Sequence, residues 1–312
     1  MNSHVGVFGE ALFDMIQQED GDFRPYVGGS PFNVARSFAK QGIQCTYLSP
    51  ISSDHLGEKI YQSVQDSGIH FNPSNRSERQ TSLALVYKDK NGKPDYRLYR
   101  KGVADLDITA EQLLSFIPDD ISLFHTGSLA LIPEMLDVLI PVITHLKQKN
   151  VKISIDVNVR KGVKLNHEQY IAAIWRFIEF ADLVKVSDED LILKGLTGKP
   201  EFHVQSMLER MKDGIVVLTF GENGSHLFSE KLHLKEAVYP TQKLGDTVGA
   251  GDTFFSAMIS EMLRRDLFNS EEVVDELQYA LKFGSCAAAM NVEKIGCHPP
   301  NYMEVIERLS SV

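Results

Sequence analysis

At 312 residues, with 43% hydrophobic and 24% charged side chains, the chain is long enough to bury a large core, as one big α/β domain or two smaller ones. Its net charge is −10, and its lysines and arginines do not gather on any one predicted element, which argues against nucleic acid or an anionic membrane as partner. The spacing of its three cysteines, Cys45, Cys286 and Cys297, suits neither a disulfide framework nor a zinc site, and no basic start leads into an apolar run, so a cytoplasmic setting is expected.

Val5–Phe8 is the first strand pattern, and residues 11–28 continue as strands with no helix between. Val27-Gly28-Gly29-Ser30-Pro31-Phe32-Asn33-Val34-Ala35 then opens a helix, with Ser30 expected as N-cap and Pro31 at the first helical position. Gly28 and Gly29 let the backbone come close to a ligand. Asn33 projects from the first turn with a donor and an acceptor, which suits a vicinal diol. A well-capped helix with no ligand accounts for the same residues.

Further along, Cys45–Leu48 reads as a strand and residues 56–67 as a helix. Residues 80–100 again read as two strands, Thr81–Tyr87 and Tyr96–Arg100, with Asn91-Gly92 marking a tight turn, as in a small antiparallel sheet standing off the main one. Residues 121–146 are apolar, but Pro133, Glu134, Asp137 and Pro141 interrupt them short of a membrane span. From Ser122 to Thr219 short buried runs (Ser122–Phe124, Ile153–Ile155, Leu183–Val186, Ile215–Thr219) alternate with amphipathic stretches at 134–149, 168–181 and 201–212. That alternation means βαβ units and a mostly parallel sheet, with ligands at the carboxyl ends of its strands.

Asp246-Thr-Val-Gly249-Ala250-Gly251-Asp252 carries the chemistry. The two glycines allow successive N–H groups to point into one concavity, and Phe254, Ala257, Met258 and Met262 follow at helical spacing. The turn therefore opens a helix, whose N-terminus attracts anions. Asp252 then stands where a carboxylate could take a hydroxyl proton beside a transferred phosphoryl, or simply caps the helix. A dinucleotide fingerprint fails because Phe254 occupies the place of the third glycine, and the turn lies late in the chain. No GxxxxGK[ST] exists: Gly92-Lys93 and Gly198-Lys199 both run into proline.

The Asp246–Ala257 segment resembles the second signature of the ribokinase-like (PfkB) carbohydrate kinases, and the Gly28-Gly29…Asn33 segment resembles the first. The resemblance covers nearly the whole chain. It implies a three-layer α/β/α fold with a mostly parallel central sheet and a small inserted β lid, as one domain over 1–312 with the lid drawn from about 11–28 and 80–105. It implies Asp252 as catalytic base, with Gly249, Ala250 and Gly251 as the anion hole. Asp14, Gly28, Gly29 and Asn33 are then sugar contacts. Lys185, Ser187, Thr219, Gly221 and Gly224 fall near the nucleotide, with Asn291 beside the adenine. Asp190 stands where many members have a glutamate near magnesium, acting through water, and Asp246 is a candidate potassium ligand. The cofactors implied are ATP and Mg2+, with K+ an open question, and two lids can pack into a homodimer.

Phe124–Leu129, Asp156-Val-Asn-Val-Arg160 and Tyr99–Asp105 look like segments of fructokinases, which points to fructose as acceptor. They also resemble 2-keto-3-deoxygluconate kinases, in which Arg100 or Arg160 would meet the substrate carboxylate. Asp105 argues against that acid. A sensor that keeps the fold without turnover is the remaining alternative, from a different class.

Overall fold

The computed structural model describes residues 3–88, 94–160, 166–193, 195–196, 198–268 and 273–311. The expected Asn91-Gly92 turn lies outside the described residues.

The chain begins with β1 (His4–Phe8), β2 (Leu12–Gln17) and β3 (Phe23–Gly28), then α1 (Ser30–Lys40), β4 (Gln44–Tyr47), β5 (Ile51–Ser52) and α2 (His55–Asp66). Next come β6 (Arg76–Ser77), β7 (Ser82–Lys88), β8 (Pro94–Tyr99), α3 (Ala110–Phe116), β9 (Ile121–Gly127), α4 (Leu136–Gln148), β10 (Lys152–Asp156) and α5 (His167–Ile178). The rest is β11 (Leu183–Ser187), α6 (Asp188–Leu193), α7 (Pro200–Met211), β12 (Ile215–Thr219), β13 (Ser225–Phe228), β14 (His233–Glu236), α8 (Ala250–Arg264), α9 (Val274–Val292) and α10 (Tyr302–Ser310).

Among the described residues eight strands form the main sheet in the order β14-β13-β12-β11-β10-β9-β1-β4. The six from β12 to β4 run parallel, and β13 and β14 add an antiparallel edge. Parallel strands covered on both faces need apolar residues on both. Val5, Val7 and Phe8 in β1, Leu123 and Phe124 in β9, Ile153 and Ile155 in β10, and Leu183, Val184 and Val186 in β11 are accordingly buried. One apolar cluster joins a sheet face to α4, α5 and α7, and another joins the opposite face to α1, α2, α8 and α9. The result is the expected α/β/α sandwich. No described helix is long and apolar enough to cross a membrane.

The small sheet is separate, in the order β3-β2-β7-β8. It is not wholly antiparallel as the sequence suggested. β2 pairs antiparallel with β3 and β7 antiparallel with β8, but β2 and β7 run parallel, with Asp14 opposite Ala84. The chain travels through α1, β4 and α2 between β3 and β7, which is the kind of long crossover a parallel pair requires.

A second difference lies at α1. Gly29, with φ 112°, holds the N-cap position, so the helix starts at Ser30 and Ser30 is not its cap. A β-carbon at residue 29 would collide with the carbonyl of Glu10. Freed from capping, the Ser30 hydroxyl turns elsewhere.

Candidate active site

The site lies where the parallel strands end and α1 and α8 begin, the position at which open α/β sheets bind ligands. Asp252 sits in the first turn of α8, directly after Gly249 in the left-handed conformation (φ 72°). A side chain at residue 249 would run into Cys297, so the turn needs glycine for two reasons.

Asp252 is buried and its two oxygens are held from α1. The Ser30 hydroxyl donates to Oδ1 at 2.7 Å, and Asn33 Nδ2 donates to Oδ2 at 2.9 Å. Asn158 Nδ2 donates in turn to Ser30 Oγ at 2.9 Å, which leaves that hydroxyl's proton for Asp252. The two signature segments, some 220 residues apart, therefore meet in one hydrogen-bond network. Asn33 Oδ1 is buried with no protein partner.

Lys185 stands behind the turn. It is buried in mid-strand, with Nζ 2.9 and 3.0 Å from the two oxygens of Asp156, and a β-carbon on Gly251 would lie 3.3 Å from it. Burial alone would lower the Lys185 pKa, but Asp156 and Asp190, with Asp252 beyond them, outweigh it and hold the ammonium above its usual range. Burial pushes Asp156 up to about 6 despite Lys185. A fixed positive charge thus backs onto the Gly249–Gly251 turn.

At the acceptor end, Asp14 on β2 lies against Gly28, where any side chain would strike its carboxylate. Burial raises Asp14 to about 6, with Arg160 pulling it down and Asp252 adding to the rise. Arg160 Nε donates to Ser128 Oγ at 3.1 Å. Arg100 and Asp105 form a buried ion pair, and Ser82 Oγ donates to the other oxygen of Asp105. Glu10, which sequence reasoning missed, is buried just past β1. Its Oε1 accepts from the Ser30 N–H at 3.2 Å, its Oε2 is buried without a partner, and burial raises it to about 7 against Arg100 and Arg160. The signal was present: a lone carboxylate in an otherwise apolar run from Val5 to Phe13.

Other sequence candidates are placed differently. Asp190 and Ser187 cap α6: the Ser187 N–H and hydroxyl both donate to Asp190 Oδ2 at 2.8 Å, and the Val159 N–H donates to Oδ1 at 2.7 Å. Gly221 (φ 55°) and Gly224 (φ 92°) shape the β12–β13 hairpin beyond Thr219, and a side chain at 224 would meet the Glu236 carbonyl. Asn291 does not stand open to an adenine. It is fully buried, its Nδ2 donating to the Val248 carbonyl at 2.8 Å and its Oδ1 accepting from the His298 N–H at 2.7 Å.

The metals were tested against these donors. Among the described residues no three His, Cys, Asp or Glu side chains gather to hold an ion unaided. Asp190, the carboxylate expected near magnesium, is buried with Oδ2 taken twice by Ser187 and Oδ1 taken by the Val159 N–H, so here it serves the cap of α6. At the potassium candidate, Asp246 Oδ1 accepts from Val248 N–H at 2.9 Å and Oδ2 from Gly296 N–H at 2.7 Å, and the Val248 carbonyl accepts from Asn291. Each of these oxygens holds one donor of this chain and keeps a second lone pair.

Comparison with known proteins gives a consistent picture. The model of the pfkB family of carbohydrate kinases matches residues 2–302. A fructokinase of Rhizobium leguminosarum bv. trifolii is 29% identical over 282 residues, covering 88% of this chain and 85% of that protein. Fructokinase-1 of Oryza sativa subsp. japonica is 28% identical over 323 residues, covering 97% of each. Among solved structures, a Xylella fastidiosa fructokinase with bound ATP superposes with a TM-score of 0.88 at 22% identity, covering 100% of this chain and 99% of that one. A Vibrio cholerae O395 fructokinase in a fructose, ADP and calcium ion bound form gives 0.82 at 22% identity, covering 98% of each.

Proposed function

The chain belongs to the pfkB family of carbohydrate kinases, and from that premise we propose that it transfers the γ-phosphoryl group of ATP to the primary hydroxyl O6 of fructose, giving fructose 6-phosphate and ADP. The observation that carries this reading is the double anchoring of Asp252 by Ser30 and Asn33, beside a left-handed turn that opens α8. Those relatives, which are named fructokinases, supply the choice of ketose.

The chemistry follows from the geometry. The substrate hydroxyl oxygen attacks the γ-phosphorus, the bond from phosphorus to the β,γ-bridging oxygen breaks, and ADP leaves. Asp252 takes the hydroxyl proton. The N–H groups of Gly249 and Gly251 meet the equatorial phosphoryl oxygens, with the Lys185 charge behind them; the Ala250 N–H, expected to join them, instead donates to the Thr247 carbonyl at 3.2 Å. When bound with the nucleotide, magnesium would supply further neutralisation of phosphate charge. Asn33, Asp14 and the backbone at Gly28 and Gly29 bind the sugar, with Asn33 Oδ1 free to accept from one of its hydroxyls. The small sheet acts as the lid over the acceptor, within one kinase domain, and excludes water from the transfer.

A 2-keto-3-deoxy sugar acid fits less well. Asp14, Glu10 and Asp105 stand at this end with Arg100 and Arg160, and Arg100 is paired with Asp105. The test is ADP release with ATP and magnesium over fructose, ribose, 2-keto-3-deoxygluconate, glucose and adenosine. Turnover on fructose, falling by about 10²-fold or more in Asp252→Asn with sugar binding retained, supports the reading. Preference for the acid, or near-full activity in the variant, overturns it. No turnover on any of these acceptors overturns it too, in favour of a sensor or of an acceptor outside this panel.

A further inference from the structure

His226 on β13 and His233 on β14 meet at the antiparallel edge of the main sheet, and neither belongs to the residues assigned above to phosphoryl transfer. In the register of these strands His226 lies opposite Lys235 and Phe228 opposite His233. Residues two apart in a strand share a face, so His226, Phe228, His233 and Lys235 stand on the same side of the sheet. His226 Nδ1 and His233 Nε2 are 3.5 Å apart, with ring centres 5.2 Å apart and planes at 61°. Both rings are held by aromatic neighbours. His226 meets the edge of Phe220 at 4.9 Å and lies 5.9 Å from Phe228, while His233 stacks on Phe228 at 4.3 Å with the planes 18° apart.

A separation of 3.5 Å is the weak limit for a hydrogen bond between two ring nitrogens. It suits a metal ion better. Two zinc–nitrogen bonds of about 2.0–2.1 Å spanning that gap subtend about 115–120°, close to the tetrahedral angle. Imidazole nitrogen is a preferred ligand of zinc, copper and nickel, whereas magnesium and calcium take oxygen. Burial lowers the His226 pKa, with Lys235 and His233 acting in the same direction and Glu201 opposing them, so the ring keeps the lone pair a metal needs. Among the described residues no third His, Cys, Asp or Glu joins the pair, which makes the site an open one.

We propose that His226 and His233 form a two-histidine binding site for a divalent transition metal ion of the zinc type, with water completing its coordination. His226 binds through Nδ1 and His233 through Nε2, each keeping its proton on the other nitrogen. The aromatic packing fixes both rings in advance, which reduces the ordering cost of binding. An ion there ties β14 to β13 and, through the His226 ring on Phe220, to the residue that follows β12. The site is separate from the magnesium carried by a nucleotide and does not depend on which sugar the chain phosphorylates.

The experiment titrates the full chain, stripped with a chelator, with ZnCl2 in millimolar MgCl2 and follows the heat of binding. The wild type takes one Zn2+ per chain with micromolar affinity, and Zn2+ raises its Tm. His226→Phe keeps a ring against Phe220 and Phe228, and His233→Gln alters an exposed position, so both variants fold, as their metal-free Tm verifies. In each of them the Zn2+ affinity falls by about tenfold or more and the Tm rise is lost. Zn2+ affinity unchanged in either variant, binding only at millimolar Zn2+, or binding abolished by the magnesium overturns the proposal. Sugar turnover enters none of these readouts, so the failure of this site and the failure of the kinase reading are told apart.

Discussion

Asn33 Nδ2 donates to Asp252 Oδ2 at 2.9 Å, joining the first turn of α1 to the first turn of α8. A carboxylate accepts and never donates, so this contact fixes the orientation of the Asn33 amide and leaves its Oδ1 buried without a partner in the chain. In the proposed reaction Asn33 would orient the base and meet the sugar with one side chain. Asn33→Ala should lower kcat and raise KM for the sugar together. Ser30→Ala, which removes the bond to Oδ1 and the acceptor for Asn158 Nδ2, should lower kcat by about 10-fold or more with less change in KM, since a hydrogen bond to a charged group contributes about 1.5–3 kcal/mol. Steady-state kinetics on both variants separates the roles, and equal KM effects would contradict this division.

Gly249 and Cys297 set a second test. With φ at 72° and the cysteine packed on its Cα, residue 249 tolerates no side chain. Gly249→Ala would cost about 1–2 kcal/mol for the left-handed conformation alone, and the collision adds to it. The turn would shift and its N–H groups would lose their aim. We expect kcat to fall at least tenfold, and Gly249→Ala/Cys297→Ala to regain part of it. If the double variant is no better than the single, the packing account is wrong.

Much of this arrangement was legible before any coordinates. Buried apolar runs alternating with amphipathic stretches gave the parallel sheet, because both of its faces are covered and period and length then suffice. The two glycine-rich segments identified where α1 and α8 begin. What the residues alone did not reveal is tertiary. The Ser-Pro pair pointed to a capping serine, but the unusual backbone at Gly29 moved the cap back one residue and released Ser30 to a partner 222 positions away. The parallel pairing of β2 with β7 depends on the route through α1 and α2, which no alternation pattern encodes. Lys185 in an apolar strand was ambiguous between phosphate and solvent until Asp156 proved to face it. Asn291 sits in a helix pattern and could have faced outward; the structure turns it inward to the turn.

That inward position carries its own prediction. Asn291 connects the end of α9 to Val248, the residue before Gly249, and so braces the anion-binding turn from behind. Asn291→Ala leaves the Val248 carbonyl and the His298 N–H short of a partner, a loss of about 1–3 kcal/mol. Asn291→Asp keeps the acceptor for His298 but sets a carboxylate against the Val248 carbonyl, which is worse. The expected outcome is a reduced kcat in both variants, larger in Asn291→Asp, with KM for the sugar nearly unchanged. A rise in KM for ATP alone, with kcat intact, would instead return Asn291 to the role of a nucleotide contact.

Glu10 gives the protein a pH dependence that can be isolated. Its carboxyl is raised from 4.5 to about 7, first by burial and against the opposing pull of Arg100 and Arg160. A folded-state pKa above the unfolded one means that between pH 4.5 and 7 the native chain holds a proton the unfolded chain has released. Stability from this group is therefore fully present below pH 4.5, declines as pH rises through 7, and levels off above it. Asp14 and Asp156, both raised to about 6, act with the same sign. Glu10→Gln removes one titration and leaves the others, so the difference between variant and wild type isolates Glu10. Across 2.5 pKa units that difference should grow in favour of the variant by about 3 kcal/mol between pH 4.5 and 8. Denaturant unfolding of both proteins at pH 4.5, 6, 7 and 8 measures it. A difference that stays flat with pH would mean that Glu10 is ionised throughout, held by its two arginines more strongly than burial opposes them.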